Sequence, residues 1–148
     1  MPHIPGLRSP YDKVGGIVYF GRMLDKIRLN AMGSLPADYA SFVGEKPGVF
    51  DRRCLHFLGV RYDDLVKRTL EGGADEEILD WVFDHGGQPD DEEIEVWNGF
   101  MAKRGWRDES HDRLVFRLNE AGMVIGDGIE TMFDFIDADE GRKGGKPK

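Results

Sequence analysis

A chain of 148 residues, 40% hydrophobic and 32% charged with a formal net charge of −8, fits one domain with its own buried core. A lone cysteine, Cys54, argues against a disulfide scaffold and suits a reducing cytoplasm. The acidic balance opposes nucleic-acid phosphates and anionic lipid at long range, and no apolar run approaches the roughly 18 residues of a membrane span. The opening "MPHIPGLRSPYDK" lacks the apolar core of a signal peptide. Expected, then, is an acidic cytoplasmic protein with neither nucleic acid nor membrane as partner.

In chain order, Pro2, Pro5 and Pro10 set the first dozen residues as an extended arm. Gly15-Gly16 then releases a periodic segment, with Ile17, Phe20, Met23, Leu24, Ile27 and Ala31 on one helical stripe and Gly33 as its stop. "SLPADYASFVGEKPGVFD" reads as a loop with a short helical turn. "DRRCLHFL", closed by Gly59, and "RYDDLVKRTLEGG" read as short helices. "ADEEILDWVFDHGG" has acids in its first turn and Ile78, Leu79, Val82 and Phe83 as a buried face.

The segment "EIEVWNGFMAKRGW" poses a choice, because Asn98-Gly99 is also a hairpin-turn signal. A helix is preferred. Asp90 and Glu93 form an acidic capping box, acids crowd the start, and Lys103, Arg104 and Arg107 crowd the end. Ile94, Trp97, Phe100 and Met101 then share an apolar stripe with Asn98 at its edge, while Gly99, Ala102 and Trp106 line another side. Two small residues beside an indole predict a close helix neighbour. "DESHDRLVFRLNEAG" and "GDGIETMFDFIDADEG" complete the helices, and residues 142–148, "RKGGKPK", are expected to be a disordered basic tail. The predicted fold is all-α: a single compact bundle-like domain over residues 1–141, with about seven short helices behind an extended N-terminal arm.

The blocks "PGLRSPYDKVGG", "WNGFMAKRGWRDE" and "FDFIDADEGR" resemble a bacterial family known only as a domain of unknown function, over about Pro5 to Arg142. The resemblance implies a small stand-alone bacterial cytoplasmic protein. It brings no catalytic residues with it.

Charge is unevenly spread: residues 1–68 hold 11 Lys+Arg and 7 Asp+Glu, and residues 69–148 hold 9 and 21. Arg22 and Lys26, at i, i+4 on the first helix near Tyr19 and Asn30, repel unless something negative lies over them. They suggest either an anion site, with Arg8 as a further contributor, or pairing with the acidic half. On the last helix, Glu130, Asp134 and Asp137 share a side, with Asp134 as the first candidate partner for Arg22, Lys26 or Arg28. "DADEG" places glycine where a calcium loop needs its third ligand, so no metal is expected, and nothing implies a cofactor. Cys54 reads as a buried, inert thiol.

Two functional readings follow. The first is a non-catalytic interaction or regulatory domain. It uses the Gly99, Ala102 and Trp106 face or the acidic C-terminal surface, with a protein partner or a second copy. The second is a small anionic-ligand-binding protein or small enzyme, with a polar pocket around Arg22, Lys26, Asn98 and Asp134. The absence of a nucleophile elbow or phosphate-loop pattern favours the first.

Overall fold

The computed structural model describes residues 3–126 and 128–142. It is all-α apart from one small hairpin. β1 (Lys13–Val14) pairs antiparallel with β2 (Ile17–Val18). There follow α1 (Phe20–Ala31), a 3-10 helix (Ala37–Phe42), α2 (Phe50–Leu58), α3 (Tyr62–Leu70) and α4 (Asp75–His85). α5 (Asp91–Lys103), α6 (His111–Glu120) and α7 (Met132–Asp139) complete the order.

The Gly15-Gly16 signal is a turn, and this corrects the predicted first helix. Both glycines have positive φ, at 56° and 81°, as a two-residue hairpin loop requires. The chain therefore passes through β2 before α1 begins at Phe20. Asn98 holds the hairpin from 80 residues away, with Oδ1 accepting from the Val18 N–H at 3.1 Å and Nδ2 donating to the Gly16 carbonyl at 2.8 Å. Trp97 Nε1 donates to the Val18 carbonyl. Asn98-Gly99 thus lies inside α5, whose start carries the reciprocal capping box of Asp90 and Glu93. The last helix is also shorter than predicted. It begins at Met132 behind a Thr131 cap, so Ile129 and Glu130 precede it.

The main core gathers Ile17, Phe20, Met23, Leu24, Leu55, Leu58, Leu65, Ile78, Val82, Met101 and Phe133. The N-terminal arm is fastened down by Ile4 and Leu7, which pack with Leu29 and Tyr39. A satellite cluster of Leu114, Leu118 and Phe135 joins α6 to α7. Arg142, assigned from the sequence to the tail, bonds Asp137 and Glu140 and reaches the Leu7 carbonyl. The rest of the predicted tail, residues 143–148, lies outside the described residues. Among the described residues no helix is long and apolar enough to cross a membrane.

Candidate functional site

A cavity of about 670 Å³ opens beside the satellite cluster, walled by α1, the 3-10 helix, α2, α6, α7 and the end of α5. Its floor is built on Tyr19, whose φ of 75° is unusual for a residue with a side chain. This conformation costs about 1–3 kcal/mol and persists only where the surroundings over-determine it. They do so here. Tyr19 N–H donates to the Pro10 carbonyl, and its phenol donates to Asp51 at 2.6 Å while accepting from Lys26 at 2.8 Å. Burial, then the Asp51 charge, pushes this phenol well above its ordinary range.

Lys26 points its ammonium at three acceptors: Tyr19 Oη, the Phe42 carbonyl and Asp51. These use all three of its N–H donors. Arg22 makes a two-pronged bond to Glu140, at 2.8 and 2.6 Å. Tyr39 and Arg142 also donate to that carboxylate. Both predicted cations therefore line the cavity floor, but each is already neutralised. The floor holds the walls in place, and its donors are committed.

Asp134 and Asn98 lie outside this cavity's lining. Asp134 accepts from Tyr11 Oη at 2.6 Å and from the Glu130 N–H. It is not the partner of Arg22, Lys26 or Arg28, which take Glu140, Asp51 and Asp75 instead. Arg8 is spent on Asp25 and Asp75, and Gly21 makes room for its guanidinium, which a Cβ there would meet at 2.5 Å. On the Gly99, Ala102 and Trp106 face, the close neighbour expected beside Gly99 is not found. A Cβ on Gly99 would meet nothing within 4 Å, and Trp106 stands 47% exposed beyond the helix end with Arg107 over its ring. Among the described residues α5 meets the main core through Trp97 and Met101, with Ile94 packed against it.

The upper wall carries what the sequence reading missed. Arg53 from α2, Arg104 from the end of α5, and Arg113 and Arg117 from α6 all line the cavity. Arg53 and Arg113 make no ion pair among the described residues. Among these same residues Arg104 has only Asp108, at 3.5 Å, and Arg117 only Glu120, at 3.9 Å. The cavity lining thus counts six cationic side chains against two carboxylates, Asp139 and Glu140.

Aromatic rings fix several of these guanidiniums. Arg117 sits 5.0 Å from the Phe42 centroid and 5.3 Å from that of Phe135. Arg53 and Arg104 both lie over Phe100. Burial and then the neighbouring Arg104 charge pull Arg53 below its ordinary range. Arg104 Nε is buried without a hydrogen-bond partner. Its backbone is held by the Met132 N–H, which donates to the Arg104 carbonyl. Asp108 closes the adjoining corner by accepting from the Gly105 and Ser110 N–H groups. Arg113 and Arg117 have the same i, i+4 like-charge spacing that singled out Arg22 and Lys26. That was the signal available for them.

Elsewhere, Cys54 is fully buried, and burial pushes its thiol well above the usual range. Among the described residues no group of three or more His, Cys, Asp or Glu is placed to hold a metal ion. No curated protein matches the chain. Residues 4–142 match the family described as domain of unknown function DUF5069, and the chain belongs to that family.

Proposed function

We propose that the protein binds a small anionic ligand in the cavity between α1, α2, α6 and α7. The supporting observation is the convergence of Arg53, Arg104, Arg113 and Arg117 on one concave site with few carboxylates to answer them. A protein that gathers four such guanidiniums from three helices holds them together only at an electrostatic cost, and an anion relieves it. Ring stacking holds Arg53, Arg104 and Arg117 in advance, so less ordering remains for the moment of binding. The cavity volume lies within the roughly 300–1,000 Å³ usual for small-molecule sites.

The site reads as a receptor more than as a catalyst. Its titratable floor groups, Tyr19, Lys26, Tyr39 and Glu140, are bound to one another or to Asp51, Arg22 and Arg142. An interaction role for the exposed Val96, Phe100 and Trp106 ranks second, since Val96 and Phe100 border a more open depression where Arg53 is set against Glu92 and Glu93 and no cluster of arginines gathers.

Isothermal calorimetry with inorganic pyrophosphate provides the test. Saturable binding at one site per chain is expected, weakened at least about tenfold in the Arg113→Gln/Arg117→Gln double variant. Absence of binding, or an affinity unchanged by the double variant, rejects the cavity as an anion site.

A further inference from the structure

We infer that the cavity's ligand is a phosphomonoester carried on an apolar body. This rests on the anion-site reading above and deepens it. The first argument is charge matching. Glu140 shows what this fold uses to satisfy one carboxylate: two guanidiniums, Arg22 and Arg142, and the Tyr39 phenol. The upper wall offers four further guanidiniums, of which Arg53 and Arg113 have no ion pair among the described residues. A single carboxylate brings one charge and two coplanar oxygens. A phosphomonoester brings about −1.5 to −2 at neutral pH and three acceptor oxygens. Guanidinium forks arriving from α2, α5 and α6 approach from several directions, which suits a tetrahedral group.

The second argument is the apolar part of the lining. Phe50, Met132 and Ile136 are only partly buried and line the same cavity, with Val49 beside them. None of them hydrogen-bonds a bare inorganic anion through its side chain. A phosphoryl group alone fills a small part of about 670 Å³, leaving these apolar surfaces wet. An apolar body attached through the ester oxygen covers them and gains from their removal from water.

The test compares three probes on the full chain by calorimetry at one pH and salt concentration: inorganic phosphate, 1-naphthyl phosphate and 1-naphthoate. Naphthyl phosphate is expected to bind at least about tenfold more tightly than either of the others. Met132→Gln, close to isosteric, is expected to weaken naphthyl phosphate several-fold more than it weakens inorganic phosphate. Inorganic phosphate binding as tightly as the ester overturns the apolar-body assignment and leaves the anion site standing. Naphthoate binding as tightly as the ester overturns the phosphoryl assignment in the same way. If none of the three binds, the inference falls together with the anion-site reading.

Discussion

Two oxygens of Glu140 receive four donors: two from Arg22, one from Tyr39 and one from Arg142. Removing that charge with Glu140→Gln leaves the buried Arg22 guanidinium without its counter-ion. The expected loss is about 3–5 kcal/mol of unfolding free energy, read from the urea midpoint. The same carboxylate sets an acid limit. Burial raises its pKa, but Arg22, Tyr39 and Arg142 outweigh burial and bring it down to about 2. A folded-state pKa below the unfolded value, about 4.3, adds stability that is complete above the unfolded pKa. That contribution fades as pH falls from there towards the folded pKa. Glu140→Gln is therefore expected to flatten the loss of stability between about pH 5 and pH 2. Parallel acid profiles for the two proteins would show that other carboxylates set the limit. The sequence marked Arg22 as needing an anion, because like charges at i, i+4 demand one. It did not reveal which acid would answer, since Asp134 and Glu140 both follow in the acidic half and only the tertiary placement of Glu140, just past the end of α7, against Arg22 selects between them.

At the scale of elements, the helices were legible wherever caps and glycine stops are local. Asp90 and Glu93 fix the start of α5, and Gly59 ends α2 in the left-handed region at φ 73°. The segment after Gly15-Gly16 was misread for a physical reason. Ile17, Val18, Tyr19 and Phe20 are all buried, and a continuous apolar run carries no period that separates strand from helix. What decides it is Asn98 and Trp97 bonding β2 from α5, a contact absent from any local window. A second non-local feature yields a prediction. The ends of α2 and α4 abut at Gly59 and Gly86, where a Cβ on Gly86 would lie 2.0 Å from the Leu58 carbonyl oxygen. Both neighbours are backbone, so no side chain can swing aside. Gly86→Ala is expected to cost about 2–3 kcal/mol by overpacking, or several degrees in melting temperature for a domain of this size. Gly87→Ala meets nothing within 4 Å and serves as the near-neutral control. Equal melting temperatures for the two variants would refute the close approach.

For the whole molecule, the net charge of −8 conceals the arrangement that matters. Composition alone argues against an anionic ligand, yet Arg104, Arg113 and Arg117 come from the acidic half and meet Arg53 on one cavity. Global charge governs the field beyond a Debye length, about 10 Å at 0.1 M salt, whereas a concave site is governed by the groups that line it. The buried pairs Arg22–Glu140 and Lys26–Asp51 are sheltered from salt, but the repulsion among cavity arginines and among surface acids is not. Raising NaCl from about 50 to 500 mM is therefore expected to stabilise the free protein. Relief of like-charge pairs such as Arg113 with Arg117 and Arg53 with Arg104 gives about 0.5–1 kcal/mol. With pyrophosphate bound the sign reverses, because the attraction between ligand and arginines is what salt then screens. The melting-temperature gap between bound and free protein should accordingly narrow as salt rises, a change that thermal denaturation at fixed pyrophosphate measures directly. Salt destabilising the free protein would mean that its exposed ion pairs outweigh the repulsion in the cavity.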